Sequence, residues 1–246
     1  MLSKKEVKDI HSLSLKKHRD ETKLFVAEGP KIVEELIQLA PFNVLGVYGL
    51  EEWTSLHADF NKSVTIETIP PEVLEKISHL KTPNKVLAVL QQFISERPVI
   101  ESIALYLDTI QDPGNFGTII RIADWFGIEN VICSAGCADL YNPKVVQATM
   151  GSVARVKVFY DHDGSWISSQ DLPVYGAVLN GRSIYDHSKI SRGIIMIGNE
   201  SKGISKELQE ILTEKITIPK KGKAESLNAA VATGIILSQL LDIKSD

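Results

Sequence analysis

Apolar and polar positions along the chain alternate in blocks that predict strands and helices in turn. A basic amphipathic opening leads to a strand at Leu24-Phe25-Val26-Ala27, and Glu28-Gly29-Pro30 turns the chain into a helix over KIVEELIQLA, with Pro30 suited to the first helical turn. Asn43 to Tyr48 and Ser63 to Ile69 read as further strands. Pro70-Pro71 opens a helix over PEVLEKISHL, and Lys85 to Gln91 is a strand again. The stretch QFISERPVIE, residues 92–101, is more polar and holds Pro98. It reads as a linker, which puts a domain boundary near residue 97.

Beyond the linker the strands become continuous apolar runs. Ile103 to Asp108 is followed by what reads as a Gly-rich turn, DPGNFG, and then by a helix over TIIRIADWFG with Gly127 as its C-cap. Val131 to Cys133 is the next strand, and Asn142-Pro143 has the form of an N-cap with proline at the first helical position. Val153 to Phe159, Val174 to Leu179, Gly193 to Ile197 and Lys215 to Ile218 complete the strands, and SLNAAVATGIILSQLLDI closes the chain as an apolar helix. Runs apolar throughout, alternating with helices, predict a parallel sheet covered on both faces. Such sheets bind ligands beyond the carboxyl ends of their strands, which directs attention to the loops after Asp108, Leu179, Ile197 and Ile218.

Composition narrows the classes. With 43% hydrophobic and 24% charged residues the 246-residue chain has the make-up of a soluble globular protein rather than a disordered one. No apolar run approaches the roughly 18 residues of a membrane helix, and the opening residues lack an apolar signal core, so a cytoplasmic protein is expected. Cys133 and Cys137 read as two buried, reduced thiols rather than a metal or redox pair. The net charge of −4 does not favour nucleic acid, yet phosphate binding depends on local charge. Lys4, Lys5, Lys8, Lys16, Lys17, Arg19 and Lys23 crowd the first 23 residues, and Lys220, Lys221 and Lys223 form a second cluster. Each could equally be a solvated face.

Three loops carry candidate chemistry. In DPGNFGTIIR the turn is followed by Arg121, early in a helix whose opening could hold an anion. In GNESKG, residues 198–203, Gly198 could expose backbone to a flat ligand, and Glu200 needs a partner, for which Arg121 is a candidate. In IPKKGKAESLN, Ser226 suits a helix N-cap, whereas Asn228 within the first turn is less easily explained by helix propensity. Each segment taken alone is also compatible with ordinary turn and capping chemistry.

Taken in order, NFGTIIRIADWFG, GNESKGIS and IPKKGKAESLNAAVATG resemble the three consecutive motifs of the SpoU family of RNA ribose methyltransferases, within the SPOUT superfamily. NPKVVQATMGSVARV is similar to the same family, with Thr149 where serine is more usual, and FVAEGPKIVEELI resembles the small RNA-binding domain, related to a ribosomal protein, that often precedes it. The resemblance implies a fold, domains and a chemistry. The expected fold is α/β, with a smaller N-terminal RNA-binding domain over residues 1–97. Over 98–246 it has a parallel sheet closed by a deep trefoil knot, a topology otherwise nearly absent from proteins. S-adenosyl-L-methionine is the implied cofactor, contacted by Gly198, Ile218 and Leu227, with Val178, Leu179 and Asn180 beside the adenine. Asn115, Arg121, Glu200, Ser226 and Asn228 are the implied catalytic residues. Guanidinium groups hold their proton to above about pH 12, so Arg121 is assigned phosphate positioning and stabilisation of alkoxide charge, Glu200 the orientation of Arg121 or of its loop, and the base is left open. Lys4, Lys5, Lys16, Lys17, Arg19, Lys220 and Lys221 are the expected contacts to a structured ribosomal or transfer RNA. A homodimer through the knotted domain is implied, one subunit's arginine serving the other's cofactor, with no membrane and no metal. Two rivals remain. An oxidoreductase on a doubly wound sheet lacks support because no GxGxxG follows a strand. A non-catalytic RNA-binding factor would keep the scaffold, although every polar motif position is filled.

Overall fold

The computed structural model describes residues 2–242. In chain order its elements are α1 (Lys4–Ser12), α2 (Lys16–Thr22), β1 (Leu24–Glu28), α3 (Pro30–Leu39), β2 (Val44–Gly49), α4 (Glu51–Thr54), β3 (Ile66–Thr68), α5 (Pro71–Ile77), β4 (Val86–Gln91) and β5 (Ile103–Asp108). There follow α6 (Pro113–Trp125), β6 (Asn130–Ser134), α7 (Pro143–Thr149), β7 (Lys157–Asp161), α8 (Ser165–Ser168), β8 (Val174–Ser183), β9 (Gly193–Gly198), α9 (Lys206–Gln209), β10 (Glu214–Thr217) and α10 (Ala229–Leu240). The chain forms two compact units, Met1–Ile94 with Asp139–Ala154, and Ser95–Ala138 with Arg155–Asp246. The sequence boundary near 97 lies three residues beyond the end of the first segment. Residues 139–154, counted with the second domain from sequence, pack with the first unit.

The first unit is built on a mixed sheet, ordered β1-β4-β2-β3, in which only β2 and β3 run parallel. Pro30 opens α3 after Gly29, and the helix buries Ile32, Val33, Leu36 and Ile37, the spacing of one helical face. Ile10, Leu13, Val26, Ile69, Leu74, Ile77, Leu87 and Val89 form a core in which α1 and α5 meet the sheet. The inserted helix α7 packs on β1. It begins as its sequence predicts, the Asn142 side chain accepting from the Lys144 N–H ahead of Pro143, and its last residue, Thr149, is fully buried with its hydroxyl donating to Val146 O.

The second unit holds six parallel strands in the order β10-β8-β9-β5-β6-β7. The continuous apolar runs become its centre. Every residue of β5 is buried, as are Gly193 to Ile197 of β9, and each large side chain so removed from water contributes about 2 kcal/mol. Gly127, in the left-handed region at φ +70°, ends α6 as predicted, with Ile128 N–H donating to Ala123 O and Gly127 N–H to Asp124 O. DPGNFG, in contrast, is no turn. Asp112 caps the Asn115 N–H at 2.8 Å and Pro113 occupies the first helical position, so the glycines already lie inside the helix.

Strand β8 departs from regular pairing in a way that shapes the site. Against β10, Lys215 is opposite Gly176, but the next residue, Ile216, is opposite Arg182. Residues 177–181 therefore swing out of register beside a single peptide of β10. At the return, a Cβ on Gly181 would lie 2.6 Å from Lys215 O and from Ile216 C, so only glycine fits.

Candidate active site

The out-of-register stretch of β8 and the loops that follow β9 and β10 converge at one edge of the sheet. They enclose a cleft of about 870 Å³ whose walls include Val178, Leu179 and Asn180 from the β8 excursion, Gly198 at the end of β9 and Glu200 after it, and Ile218, Ser226 and Leu227 after β10. All six residues assigned to the cofactor from sequence thus line one cavity. Asn115, Arg121 and Asn228 do not line it, and they divide into two groups.

Asn115 and Asn228 stand at its mouth in one hydrogen-bonded chain. The Asn228 amide donates to Asn115 Oδ1 at 2.7 Å, and the Asn115 amide donates to Glu200 Oε1 at 2.6 Å. Asn228 in turn accepts from the Ala230 and Val231 N–H groups at 3.0 and 3.2 Å. The free backbone donors of a helix start, two carboxamides and a carboxylate are thereby aligned in one direction, an arrangement in which each bond polarises the next. It ties the three motifs together side chain to side chain. Glu200 Oε2 is left without a partner among the described residues.

Two expectations are corrected by this geometry. Glu200 pairs with Asn115, not with Arg121. Asn228, not Ser226, caps α10, because the helix starts at Ala229 and Ser226 lies exposed in the preceding loop. The unusual position of an asparagine near a helix start was the available signal, and its cause is capping.

Arg121 belongs to the other group. It is exposed on α6 and makes no hydrogen bond or ion pair among the described residues. Trp125, one helical turn further on, is 85% exposed, and Val231 on α10, the helix packed against α6, is 52% exposed.

Gly198 has a stricter role than exposing backbone to a ligand. A Cβ there would lie 2.3 Å from Gly203 C and 2.4 Å from Ile204 N, the two ends of the loop being bridged by Asn199 N–H to Gly203 O (3.1 Å) and Gly203 N–H to Asn199 O (2.8 Å). Gly198→Ala is expected to destabilise the unit by about 1–3 kcal/mol, as overpacking does. A denaturant midpoint unchanged from wild type would show that the loop can yield.

The basic residues also divide. Lys4, Lys5, Lys16 and Lys17 are exposed on the first unit, Lys16 pairing with Asp20 at 2.7 Å, and Lys220 and Lys221 are exposed on the second. Arg19 departs from its expectation. It is 2% exposed, its guanidinium donates to Leu13 O and Ser14 O and pairs with Asp139 at 2.6 Å, so it is an internal tie of the first unit and not an RNA contact. Cys133 is fully buried and burial pushes its thiol well above the usual range, whereas Cys137 is only half-buried and is lowered by the neighbouring Cys133 thiol, which corrects the reading of two buried cysteines. Among the described residues no group of three or more His, Cys, Asp or Glu could hold a metal ion, and no helix is long and apolar enough to cross a membrane.

An all-parallel sheet with a roomy cleft at its carboxyl edge, and a polar chain of Asn228, Asn115 and Glu200 beside that cleft, defines an α/β enzyme class with a nucleotide-sized site. Residues 102–238 match the SpoU rRNA Methylase family, and the chain belongs to that family. Residues 4–88 match the MRM3-like substrate binding domain. The chain is 30% identical to the 23S rRNA (guanosine(2553)-2'-O)-methyltransferase RlmP of Bacillus subtilis, over 96% of this chain and 95% of that one. Among solved structures it is similar to a TrmH-family protein of Porphyromonas gingivalis (36% identity, TM-score 0.84, 98% of each chain). It is also similar to an AdoMet-bound rRNA methyltransferase of Sinorhizobium meliloti (30% identity, TM-score 0.84, 98% and 95% of the two chains).

Proposed function

We propose that the protein methylates a ribose 2′-hydroxyl of a structured ribosomal or transfer RNA with S-adenosylmethionine. The observation that carries this reading is the Asn228–Asn115–Glu200 chain at the mouth of the cleft. The cleft suits the cofactor. Its volume lies within the range of small-molecule sites, Val178, Leu179, Ile218 and Leu227 offer apolar wall to a flat base, and the surrounding loop backbone offers donors and acceptors. When bound, the cofactor supplies a methyl group already activated on a sulfonium. The protein's task is then to align a sugar oxygen and to manage its proton. Glu200 Oε2 accepts the hydrogen bond of the incoming hydroxyl, while Asn115 holds the carboxylate in place. Ser226, on the loop before α10, donates or accepts at the ribose. Arg121 binds phosphate and balances charge growing on the oxygen.

Arg121 does this across a homodimer. Its exposure, and that of Trp125 and Val231 on the adjoining helices, support an interface on this face. The reading includes the knot, formed where the segments around β10 and α10 are threaded. It also includes residues 1–97 as the substrate-binding domain and 98–246 as the catalytic one, and a cytoplasmic location, where such RNA is found. Lys4, Lys5, Lys16, Lys17, Lys220 and Lys221 contact phosphates, and the RNA is selected by shape and exposed nucleotides.

Calorimetry is expected to show binding of S-adenosylmethionine and none of NAD. RNA from cells lacking the gene is expected to lose one position of resistance to alkaline cleavage, which a 2′-O-methyl group confers. NAD binding without S-adenosylmethionine binding would favour the oxidoreductase, and an unchanged alkaline map would favour a non-catalytic factor.

A further inference from the structure

The polar chain at the cleft mouth depends on where the loop after β9 holds Glu200, and a second, buried network fixes that loop. Asp108, the last residue of β5, is 4% exposed, and it lies opposite Gly198 in the sheet. Its carboxylate accepts three bonds: Oδ1 from the Thr109 hydroxyl at 2.9 Å and the Ser134 hydroxyl at 3.2 Å, and Oδ2 from the Ser205 N–H at 2.7 Å. Ser205 closes the far end of the loop. At the near end, the Asn199 amide donates to Thr109 O at 2.9 Å while its Oδ1 accepts the Ser201 and Lys202 N–H groups at 3.0 and 3.1 Å.

Thr109 completes the device at a cost in backbone energy. Its φ is +58°, a region that a β-branched residue rarely adopts and that persists only where surroundings over-determine it. Here they do. The Thr109 N–H is held by Ser134 Oγ at 2.9 Å, and the left-handed turn aims the carbonyl at Asn199.

We infer that Asp108 and Asn199 are positioning residues for methyl transfer, clamping both ends of the loop at residues 198–205 so that Glu200 meets Asn115. Neither touches the reacting groups. The inference rests on the function proposed above, and its test separates the two. Asn199→Asp keeps the acceptor for Ser201 and Lys202 but loses the donor to Thr109 O. Asp108→Ala removes the acceptors of the Thr109 and Ser134 hydroxyls and of the Ser205 N–H.

In the full chain, amide exchange at Ser201, Lys202 and Ser205 is expected to rise at least tenfold in these variants, with the strands of the sheet unchanged. In parallel, kcat for methyl transfer to RNA from cells lacking the gene should fall at least tenfold. The dissociation constant for S-adenosylmethionine should rise as well, because Gly198 and Glu200 of the same loop line the cleft, so kcat is read at saturating cofactor. Exchange that stays at the wild-type level, exchange that rises evenly through the sheet, or a loosened loop with kcat retained would each overturn the clamp. A wild-type protein that transfers no methyl to that RNA, yet shows the same exchange response in its variants, would instead overturn the proposed function and leave the loop clamp as structure alone.

Discussion

Arg121→Ala is expected to lower methyl transfer by about 10²–10³-fold, the scale of losing one group aimed at developing charge, while stability changes by less than about 0.5 kcal/mol. The second half follows from the surroundings of the side chain: it is exposed and has no ion pair or hydrogen bond to lose among the described residues. The first half follows from its chemistry. A guanidinium presents a planar fork that matches phosphate, so Arg121→Lys, which keeps only a point charge, should recover part of the loss at most. Methyl incorporation at saturating cofactor, read beside a thermal melt, checks both halves. Mixing Arg121→Ala protein with Glu200→Ala protein goes further. If each arginine serves the other subunit's cleft, mixed dimers regain one intact site and activity returns. If it serves its own, the mixture stays inactive. Near-wild-type activity of Arg121→Ala alone would remove this residue from the mechanism.

Elements whose cause is local were legible in the sequence. Pro30, Pro71 and Asn142-Pro143 each start a helix where chain-local stereochemistry demands it, and Gly127 ends one. Ile103–Asp108 forms a strand over the span its apolar run predicts. What was not legible depends on partners distant in sequence. DPGNFG has the residues of a turn, yet Asp112 and Pro113 together also make a helix start, and the buried side chains Phe116, Ile119 and Ile120 favour the latter. The pairing of Glu200 with Asn115 spans 85 residues, and no periodicity favours it over Arg121. Asp108 read as the end of a buried strand, and Asn199 as one more polar loop residue. Only their shared contact with Thr109 gives them a role. The swing of 177–181 within β8 is marked by no break in the apolar run before Asn180, so it too is invisible until β10 is in place.

Charge patterning has the same blindness, and Arg19 gives the second large effect. Among seven basic residues in the first 23 it looks like the others, but its guanidinium is buried, donates to two carbonyls at 2.7 and 2.8 Å, and pairs with Asp139 through Nε and Nη2 at 3.2 and 2.6 Å. Asp139 opens the segment 139–154 that packs with the first unit, so the pair ties two stretches 120 residues apart. Arg19→Ala would leave Asp139 Oδ2 and two carbonyls without their donors, the Tyr141 N–H at Oδ1 alone remaining on the carboxylate. Breaking such a pair from one side destabilises by about 3–5 kcal/mol, and the lower end is expected because the Asp139 side chain keeps 20% of its exposure. Lys16→Ala, at a solvated ion pair, should move stability by less than about 1 kcal/mol. It should instead lower RNA affinity and reduce the slope of log affinity against log salt by about one. Replacing both members, Arg19→Met with Asp139→Leu, should recover only part of the loss, since it removes the unpaired charge but leaves the Leu13 and Ser14 carbonyls without their donor. The two substitutions therefore separate in opposite directions, one in the denaturant midpoint and the other in the salt slope. An Arg19→Ala protein with a wild-type midpoint and a reduced salt slope would return Arg19 to the RNA-binding surface.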